Sequence, residues 1–161
     1  MTDYRVVVLG GYGNFGTVIV RRLRTIAGMR VWVAGRDLAK AEALATATGS
    51  TAVRLDMNQA DLAERLRELG AQLVISTAGP FQQQDYRVAE ACIAAGAHYV
   101  DLADAREFVC GVGALDQAAQ AAGVLVCSGA SSVPALSAAV IDSLLPRFGI
   151  QTTVVDGRDT Q

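Results

Sequence analysis

Residues that bind metals or form disulfide bonds are scarce in this sequence. It has three cysteines and a single histidine, His98, and no two cysteines stand in a CxxC pair. Structural zinc sites use closely spaced Cys and His pairs, and disulfide scaffolds use an even number of cysteines. The sequence therefore predicts neither. Cys92 and Cys127 stand among apolar residues and are expected in the core, whereas Cys110, next to "GVG", is expected nearer the surface.

An excess of basic charge is also absent. The net charge is −2 at pH 7, so the sequence lacks the positive field that selects nucleic acids or anionic membrane surfaces. No apolar run approaches the roughly 20 residues that span a bilayer. The first residues, "MTDYR", lack the basic segment that is typical of a signal peptide. We therefore expect a cytoplasmic protein that binds neither nucleic acid nor membranes.

Short β-branched runs alternate with longer stretches rich in alanine and leucine. The short runs are continuously apolar, as in strands buried on both faces, and the longer ones have apolar residues three and four positions apart, as in helices. This alternation predicts an α/β fold over residues 1–150: a doubly wound, Rossmann-type parallel sheet with helices on both faces. The last predicted helix is 134–145. The predicted strands are 5–10, 30–35, 52–56, 73–77, 98–102 and 124–129.

A cluster of glycines in "VVVLGGYGNFGTVIVRRL" (6–23) joins the first predicted strand to the first predicted helix. Gly11, Gly13 and Gly16 form the GxGxxG pattern of dinucleotide-binding loops. In that pattern the first glycine permits the tight turn, the second lets the backbone approach a pyrophosphate, and the third allows close packing of the helix. The helix N-terminus also offers N–H groups and a positive dipole end to phosphates. This context favours a bound dinucleotide over a purely structural turn.

The spacing of Gly10, Gly13 and Gly16 also fits the GxxGxxG loop of short-chain dehydrogenases. Those enzymes use a tyrosine, with a lysine four residues later, in acid and base catalysis. The sequence has one lysine, Lys40, and Arg36 stands four residues before it. The sequence therefore lacks the catalytic pair of that class.

The second predicted strand ends in "AGRDLAK", where NAD-binding domains usually carry an acidic residue for the ribose 2′-hydroxyl. This sequence has Arg36 there, and an arginine suits the 2′-phosphate of NADP. A charge-assisted hydrogen bond contributes about 1.5–3 kcal/mol, which predicts roughly a ten- to hundredfold preference for NADP over NAD. The alternative is a solvated Arg36, with Asp37 serving only as the N-cap of the next helix.

Six segments of the sequence follow one another in a characteristic order and spacing. They are "GGYGNFG", "VAGRDLAKAEALA", "VRLDMNQADL", "VISTAGPF", "ACIAAGAHYVDLAD" and "AAGVLVCSGASSVPAL". Taken together, they resemble the N-terminal NADP-binding domain of saccharopine dehydrogenase-like oxidoreductases, and the resemblance covers nearly the whole chain. It implies that NADP(H) exchanges a hydride with a small-molecule substrate.

The resemblance also implies which residues bind the adenosine and phosphate parts of the cofactor. Asn14 and Phe15 would lie over the pyrophosphate, and Arg36 would receive the phosphate on the adenosine ribose. Asp56 and Met57 would lie beside the adenine. All of these residues follow predicted strands, and open parallel sheets bind ligands at the carboxyl ends of their strands.

The nicotinamide side of the cofactor is implied by two further turns. After the fourth predicted strand, Ala78, Gly79, Pro80 and Phe81 would line the ribose and nicotinamide side. Pro80 prevents an immediate helix there and leaves backbone groups free for a ligand. The segment "SSVP" (131–134) would lie near the nicotinamide. Without the resemblance, an ordinary strand-to-helix turn is an equal interpretation of these residues.

Members of the resembled family carry a second α/β domain that supplies most of the substrate pocket. We expect "QTTVVDGRDTQ" (151–161) to be the start of such a domain, truncated here. On this interpretation the chain is the NADP(H)-binding domain of an oxidoreductase, with the catalytic domain largely absent. The alternative is a non-catalytic Rossmann module that senses NADP(H) or serves assembly. Either interpretation favours a homodimer, because a missing domain leaves an exposed edge.

Three further polar residues are candidates for catalysis. His98 follows "AAGA" at the start of the fifth predicted strand, opposite the cofactor, and is expected to be a surface or turn histidine. Asp101 and Asp104 flank the carboxyl end of that strand and either face the substrate or, for Asp104, cap the helix around "AREFV". The "DLTGE"-like pattern of the resembled family is "DLADA" here, with Glu107 displaced. No catalytic residue is therefore assigned.

Overall fold

The computed structural model describes residues 3–131 and 139–144. The chain divides after Ala130 into two units, and the segment 139–144 belongs to the second. That segment is helical, as predicted for this part of 134–145. The rest of that predicted helix and the predicted domain start at 151–161 lie outside the described residues.

Six parallel strands form one sheet in the order β3-β2-β1-β4-β5-β6. The chain therefore begins at the centre of the sheet, extends to one side, and crosses to the other side of β1 with β4. All six predicted strands are confirmed, although β3, β4 and β5 are each one residue shorter than predicted and β6 has two residues instead of six. β6 is short because it pairs with two residues of β5 at the edge of the sheet. The strands are β1 (Tyr4–Leu9), β2 (Met29–Gly35), β3 (Thr51–Arg54), β4 (Leu73–Ser76), β5 (His98–Asp101) and β6 (Val126–Cys127).

Helices connect the successive strands. Asp37 is the N-cap of α2, the role it has in the alternative to the NADP interpretation, and its carboxylate accepts the N–H of Lys40 at 3.2 Å. Of the two alternatives for Asp104, the helix cap is not found, because the N-cap of α5 is Ala105 and no side chain caps this helix. Residues 3–131 contain α1 (Asn14–Leu23), α2 (Leu38–Thr48), α3 (Leu62–Glu68), α4 (Arg87–Ala95), α5 (Arg106–Gly111) and α6 (Asp116–Ala122), with short 3-10 helices at Phe81–Gln83 and Val112–Leu115.

The central strand β1 is buried on both of its faces. Val6 and Val8 face one apolar cluster, which includes Val20 of α1 and residues of α2. Val7 and Leu9 face a second cluster, built with α3, α4 and the strands beside them. Because successive side chains of a strand point to opposite faces, this division explains why the strands are continuously apolar. The fold is therefore the predicted doubly wound sheet with helices on both faces.

Truncating a leucine in the second cluster should lower the stability of the fold. Leu66 on α3 is fully buried, so Leu66→Ala is expected to reduce the free energy of unfolding by about 2–5 kcal/mol through lost burial and a cavity. Leu125→Ala is the matched control, because that side chain is 60% exposed and its loss should cost less than about 0.5 kcal/mol. Urea unfolding measures both values, and equal losses would contradict this description of the core.

The three cysteines should differ in their reaction with an alkylating reagent. Cys92 is fully buried on α4, and burial raises the pKa of its thiol well above the usual range. The thiolate is the reactive form, so Cys92 should react only after unfolding, whereas the exposed Cys110 should react in the native protein. Cys127 is half-buried rather than in the core and should be intermediate. Iodoacetamide labelling followed by peptide mass spectrometry measures the order, and early labelling of Cys92 would contradict it.

Candidate cofactor site

A cleft of about 510 Å³ lies at the carboxyl ends of the first four strands. Its position coincides with the point where the strand order reverses between β1 and β4, which is where open α/β sheets bind ligands. Its volume is within the range of roughly 300–1,000 Å³ that is usual for ligand pockets. The lining residues are Leu9, Gly10, Tyr12, Gly13, Gly35, Arg36, Leu55, Asp56, Met57, Asn58, Thr77, Ala78, Gly79, Pro80, Gln83 and Gln84.

The glycine loop after β1 is shaped by steric limits at three positions. A Cβ on Gly16 would lie 2.3 Å from the carbonyl oxygen of Gly10, so only glycine lets α1 approach the loop this closely. Gly11 is also crowded, since a Cβ there would lie 2.8 Å from the oxygen of Val8. The positive φ of the turn belongs to Gly10, at +71°, rather than to Gly11 as the GxGxxG pattern predicts. Gly11 is thus required for space, and Gly10 for the turn.

The first turn of α1 supplies backbone N–H groups beside this loop. Gly13 is the N-cap and, having no side chain, leaves them without a side-chain cap. Asn14 and Phe15 are exposed, and the side chain of Phe15 is 66% exposed. The loop and helix end therefore form a cradle for an anionic group, which fits a pyrophosphate. Among the predicted site residues of this loop, Gly13 lines the cleft, whereas Gly11, Asn14, Phe15 and Gly16 do not.

Arg36 stands at the end of β2 and lines the cleft from the side of the glycine loop. Its side chain is exposed and makes no ion pair with the residues described here. The adjacent Asp37 is engaged elsewhere: one carboxylate oxygen accepts the N–H of Lys40, and the other lies 3.5 Å from the Lys40 ammonium. These contacts lower the pKa of Asp37. The cleft thus has a cation free to meet an anionic ligand.

Asp56 and Met57 line the cleft after β3. The Asp56 carboxylate accepts the N–H of Asn58 at 3.0 Å, and the Asp56 N–H donates to the side chain of Gln59 at 2.8 Å. Both hydrogen bonds hold the turn in place. Met57 is half-buried and also packs against the core on the α3 and α4 side.

The turn after β4 brings three of its four predicted residues to the cleft. Ala78, Gly79 and Pro80 line it, but the side chain of Phe81 does not. Phe81 is buried against Phe108, with ring centroids 5.7 Å apart, and lines a separate groove of about 500 Å³. Its apolar ring gains more from burial in this aromatic cluster than from a place at the edge of the cleft. The remaining predicted turn, 131–134, lies outside the described residues beyond Ser131.

Nine of the residues that line the cleft were not predicted from the sequence, among them Tyr12, Thr77 and Gln84. The Thr77 hydroxyl lies 2.9 Å and 3.0 Å from the carbonyl oxygens of Leu9 and Gly10 and donates to them, which joins β4 to the glycine loop. The Gln84 amide donates to the carbonyl oxygens of Ala78 and Pro80. The Tyr12 hydroxyl accepts the N–H of Asp37 at 3.0 Å. Tyr12 lies inside the glycine motif and Thr77 inside "VISTAGPF", whereas no sequence motif pointed to Gln84.

Asp101 lies outside the cleft and does not face it. It is fully buried at the end of β5, where one carboxylate oxygen accepts the N–H groups of Ala103 and Gly129 and the hydroxyl of Ser128, all at 2.9 Å. Asp101 therefore ties the turn after β5 to the turn after β6. The negative charge of Asp101 adds to burial in raising the pKa of Tyr99. The substrate-facing alternative for Asp101 finds no support in this geometry.

His98 and Asp104 are also away from the cleft. Nδ1 of His98 accepts the N–H of Leu125 at 2.9 Å, at the amino end of β5. This agrees with the predicted turn histidine and leaves it on the opposite edge of the sheet. Asp104 is exposed, and its carboxylate lies 3.4 Å from the Gln82 amide. Neither residue is positioned to act on a ligand in the cleft.

The match to a protein family agrees with this geometry. Residues 6–127 match the family described as the saccharopine dehydrogenase NADP binding domain. The chain belongs to this family. The matched residues run from β1 to β6 and include every residue that lines the cleft. A comparison of the sequence with curated proteins finds no significant match.

Solved structures give the same fold for this saccharopine dehydrogenase NADP-binding domain. Saccharopine dehydrogenase (L-Glu forming) from Saccharomyces cerevisiae is 24% identical, with a TM-score of 0.72 over 91% of this chain and 32% of that one. GenD2 from gentamicin A biosynthesis, in complex with NAD, is 27% identical, with a TM-score of 0.58 over 80% of this chain and 35% of the GenD2 chain. BdcA in complex with NADPH is 19% identical, with a TM-score of 0.54 over 80% of this chain and 70% of that one. The chain thus spans about a third of the first two proteins.

The described residues of the domain hold neither a cluster of metal ligands nor a membrane-spanning helix. Within 3–131 and 139–144, no three His, Cys, Asp or Glu side chains are grouped as metal ligands. Over the same ranges, no helix has the length and apolar character needed to cross a membrane. The cleft of the NADP-binding domain remains the candidate site.

Adding one methyl group at Gly16 should disturb the cradle. Gly16→Ala places a Cβ against the Gly10 oxygen, and such overpacking is expected to cost about 1–3 kcal/mol of stability and to weaken nucleotide binding. Gly113→Ala is the matched control, because a Cβ there meets no atom within 4 Å. Thermal unfolding and NADPH titration of both variants measure the effect. Equal behaviour of the two variants would show that the close approach at Gly16 is unimportant.

Proposed function

We propose that this chain binds NADP(H) in the cleft and orients it for hydride transfer to or from a small-molecule substrate. Membership of the NADP-binding family supports the cofactor class. The position of the cleft at the reversal of strand order and its glycine cradle support the same assignment. When bound, the cofactor supplies or accepts the hydride, whereas the chain supplies binding and orientation. No comparison favours the alternative of a non-catalytic sensor.

The proposed contacts follow the cleft from one side to the other. Asn14, Phe15 and Gly16 would bind the pyrophosphate through backbone N–H groups. Gly11 and Gly13, whose own N–H groups donate to the oxygens of Ala34 and Gly10, would let the pyrophosphate approach the loop. Asp56 and Met57 would flank the adenine. Ala78, Gly79 and Pro80 would border the nicotinamide ribose, and Phe81 would support this turn from the core rather than touch the cofactor.

The single observation that favours NADP over NAD is the state of Arg36. Its guanidinium is exposed at the cleft without an ion pair among the described residues, and the neighbouring acid, Asp37, is engaged by Lys40. An NAD-selective site needs a free acid here for the ribose 2′-hydroxyl. A 2′-phosphate would instead be bound by Arg36, whose fork of N–H donors suits phosphate oxygens.

Removing the Arg36 side chain should abolish the selectivity between the two cofactors. Wild-type protein is expected to bind NADPH about ten- to a hundredfold more tightly than NADH, and Arg36→Ala should bring the two dissociation constants within about threefold, since only NADPH loses an interaction. Titration with each nucleotide can follow quenching of Trp32, the single tryptophan, and energy transfer to the reduced nicotinamide.

The control for this titration is Arg21→Ala. Arg21 is an exposed arginine in the last turn of α1 and does not line the cleft. The Arg21→Ala variant should therefore have the same dissociation constants for NADPH and NADH as the wild type. Wild-type binding without selectivity, or an equal loss in both arginine variants, would contradict the assignment of Arg36. The absence of binding by either nucleotide would contradict the proposed function itself.

Assembly as a homodimer and location in the cytoplasm stay predictions from the sequence. Two large apolar side chains on α1, Phe15 and Val18, are 66% and 67% exposed. They stand three positions apart and therefore lie on the same face of the helix. An exposed apolar pair of this kind supports self-association or contact with another domain.

A further inference from the structure

We propose that Tyr12 positions Arg36 for the 2′-phosphate and thereby sets the selectivity for NADP over NAD. Tyr12 belongs to the glycine loop, whereas Arg36 belongs to the turn after β2, and the two turns meet in the cleft. The inference rests on the proposed function, because it assumes that Arg36 receives this phosphate. Tyr12 acts through the backbone of the Arg36 turn and is thus a positioning residue.

The contact between the two turns depends on the pairing of a tyrosine with a glycine. A Cβ on Gly35 would lie 2.5 Å from Cε1 of Tyr12 and 2.7 Å from its hydroxyl oxygen. The ring therefore occupies the space that any other side chain at position 35 would fill. From there its hydroxyl accepts the N–H of Asp37 at 3.0 Å. The Tyr12 hydroxyl, rather than water, is thus the hydrogen-bond acceptor for the Asp37 N–H beside Arg36.

Hydrogen bonds of the two neighbouring residues hold the backbone of Arg36 on both sides. On one side the carbonyl oxygen of Gly35 accepts the N–H of Leu55 at 3.1 Å. On the other side the N–H of Asp37 donates to Tyr12, and the Asp37 carboxylate caps α2. The Cα of Arg36 is therefore confined, and the movement of its guanidinium is limited to its side-chain torsions. This confinement reduces the entropy that is lost when Arg36 binds a phosphate.

The glycine loop itself does not need the Tyr12 hydroxyl. Thr77 donates to the oxygens of Leu9 and Gly10, and the Gly11 N–H donates to the oxygen of Ala34 at 3.1 Å. Loss of the hydroxyl should therefore release the Arg36 turn and leave the cradle for the pyrophosphate in place. The effect should appear with ligands that carry a 2′-phosphate and not with those that lack it.

The test is Tyr12→Phe, which keeps the ring over Gly35 and removes the hydroxyl. Binding is measured for NADPH and NADH, and for adenosine 2′,5′-bisphosphate and 5′-AMP as probes of the adenosine end alone. The variant is expected to bind NADPH and the bisphosphate about two- to tenfold more weakly, as for the loss of one hydrogen bond. Its affinities for NADH and 5′-AMP should stay within about twofold of wild type. An equal loss for all four ligands, or no loss for any, would overturn the inference.

Tyr86→Phe is the matched control. The Tyr86 hydroxyl donates to the oxygen of Phe108 at 2.7 Å, outside the cleft, so its loss removes a similar hydrogen bond far from Arg36. It should leave the ratio of NADPH to NADH affinity unchanged. A change as large as that in Tyr12→Phe would overturn the inference, because selectivity would then follow general stability.

Wild-type and Arg36→Ala proteins, measured in parallel, separate this inference from the proposed function. If the wild type prefers NADPH and Arg36→Ala does not, the proposed function stands, and the Tyr12→Phe result alone decides the role of Tyr12. If the wild type binds both nucleotides without preference, the assignment of Arg36 and this inference fail while the proposed binding of NADP(H) stands. If it binds neither nucleotide, the proposed function fails as well.

Amide hydrogen exchange of the wild type gives a readout that does not require the variant to fold. The Asp37 amide should exchange more slowly than that of Leu38, the first residue of α2. Equal exchange of the two amides would overturn the inference.

Discussion

The contact between α1 and the loop after β1 is the constraint on which the candidate site depends. The helix approaches so closely that a Cβ at Gly16 would lie 2.3 Å from the carbonyl oxygen of Gly10. Close packing at this point directs the first turn of α1, with N–H groups that no side chain caps, toward the cleft. The strand order supplies the cleft, but this contact turns it into a cradle for an anion. A larger side chain at position 16 would separate the helix from the loop and remove that property.

Neutral hydrogen bonds fix the turns that surround the cradle. Thr77 joins β4 to the glycine loop, Gln84 holds the turn that contains Pro80, and Tyr12 joins the glycine loop to the turn after β2. All of these bonds use backbone groups that would otherwise lose water without gaining a partner. Their effect is to order the walls of the cleft before a ligand arrives, which reduces the entropic cost of binding. Because the turns are held by neutral groups, the charged guanidinium of Arg36 stays available to bind a ligand.

The carboxyl edge of the sheet is divided between ligand binding and structural support. The first four strands end at the cleft, whereas β5 ends in Asp101, whose buried carboxylate ties its own turn to the turn after β6. The three hydrogen bonds at Oδ1 offset part of the cost of burying this carboxylate, whereas Oδ2 has no hydrogen-bond partner among the described residues. Phe81 likewise has a structural role, because its ring packs against Phe108 in an aromatic cluster and does not line the cleft. Residues that read as one functional motif along the chain thus have separate roles in the fold.

Local patterns in the sequence determined the strands, most helices and the Asp37 cap, because periodicity acts through near neighbours. The regular strand order then placed a set of predicted residues at one edge of the sheet: Gly13, Arg36, Asp56, Met57 and 78–80. The tertiary structure alone decided which side chains line that edge and which support it. The Thr77 bonds join residues 67 and 68 positions apart, and the Tyr12 contact needs both its hydroxyl and the empty space over Gly35. Phe81, Asp101 and Asp104 were misplaced or left open for the same reason. Their positions follow from packing and hydrogen bonds between distant segments, and such contacts leave no periodic signal in the chain.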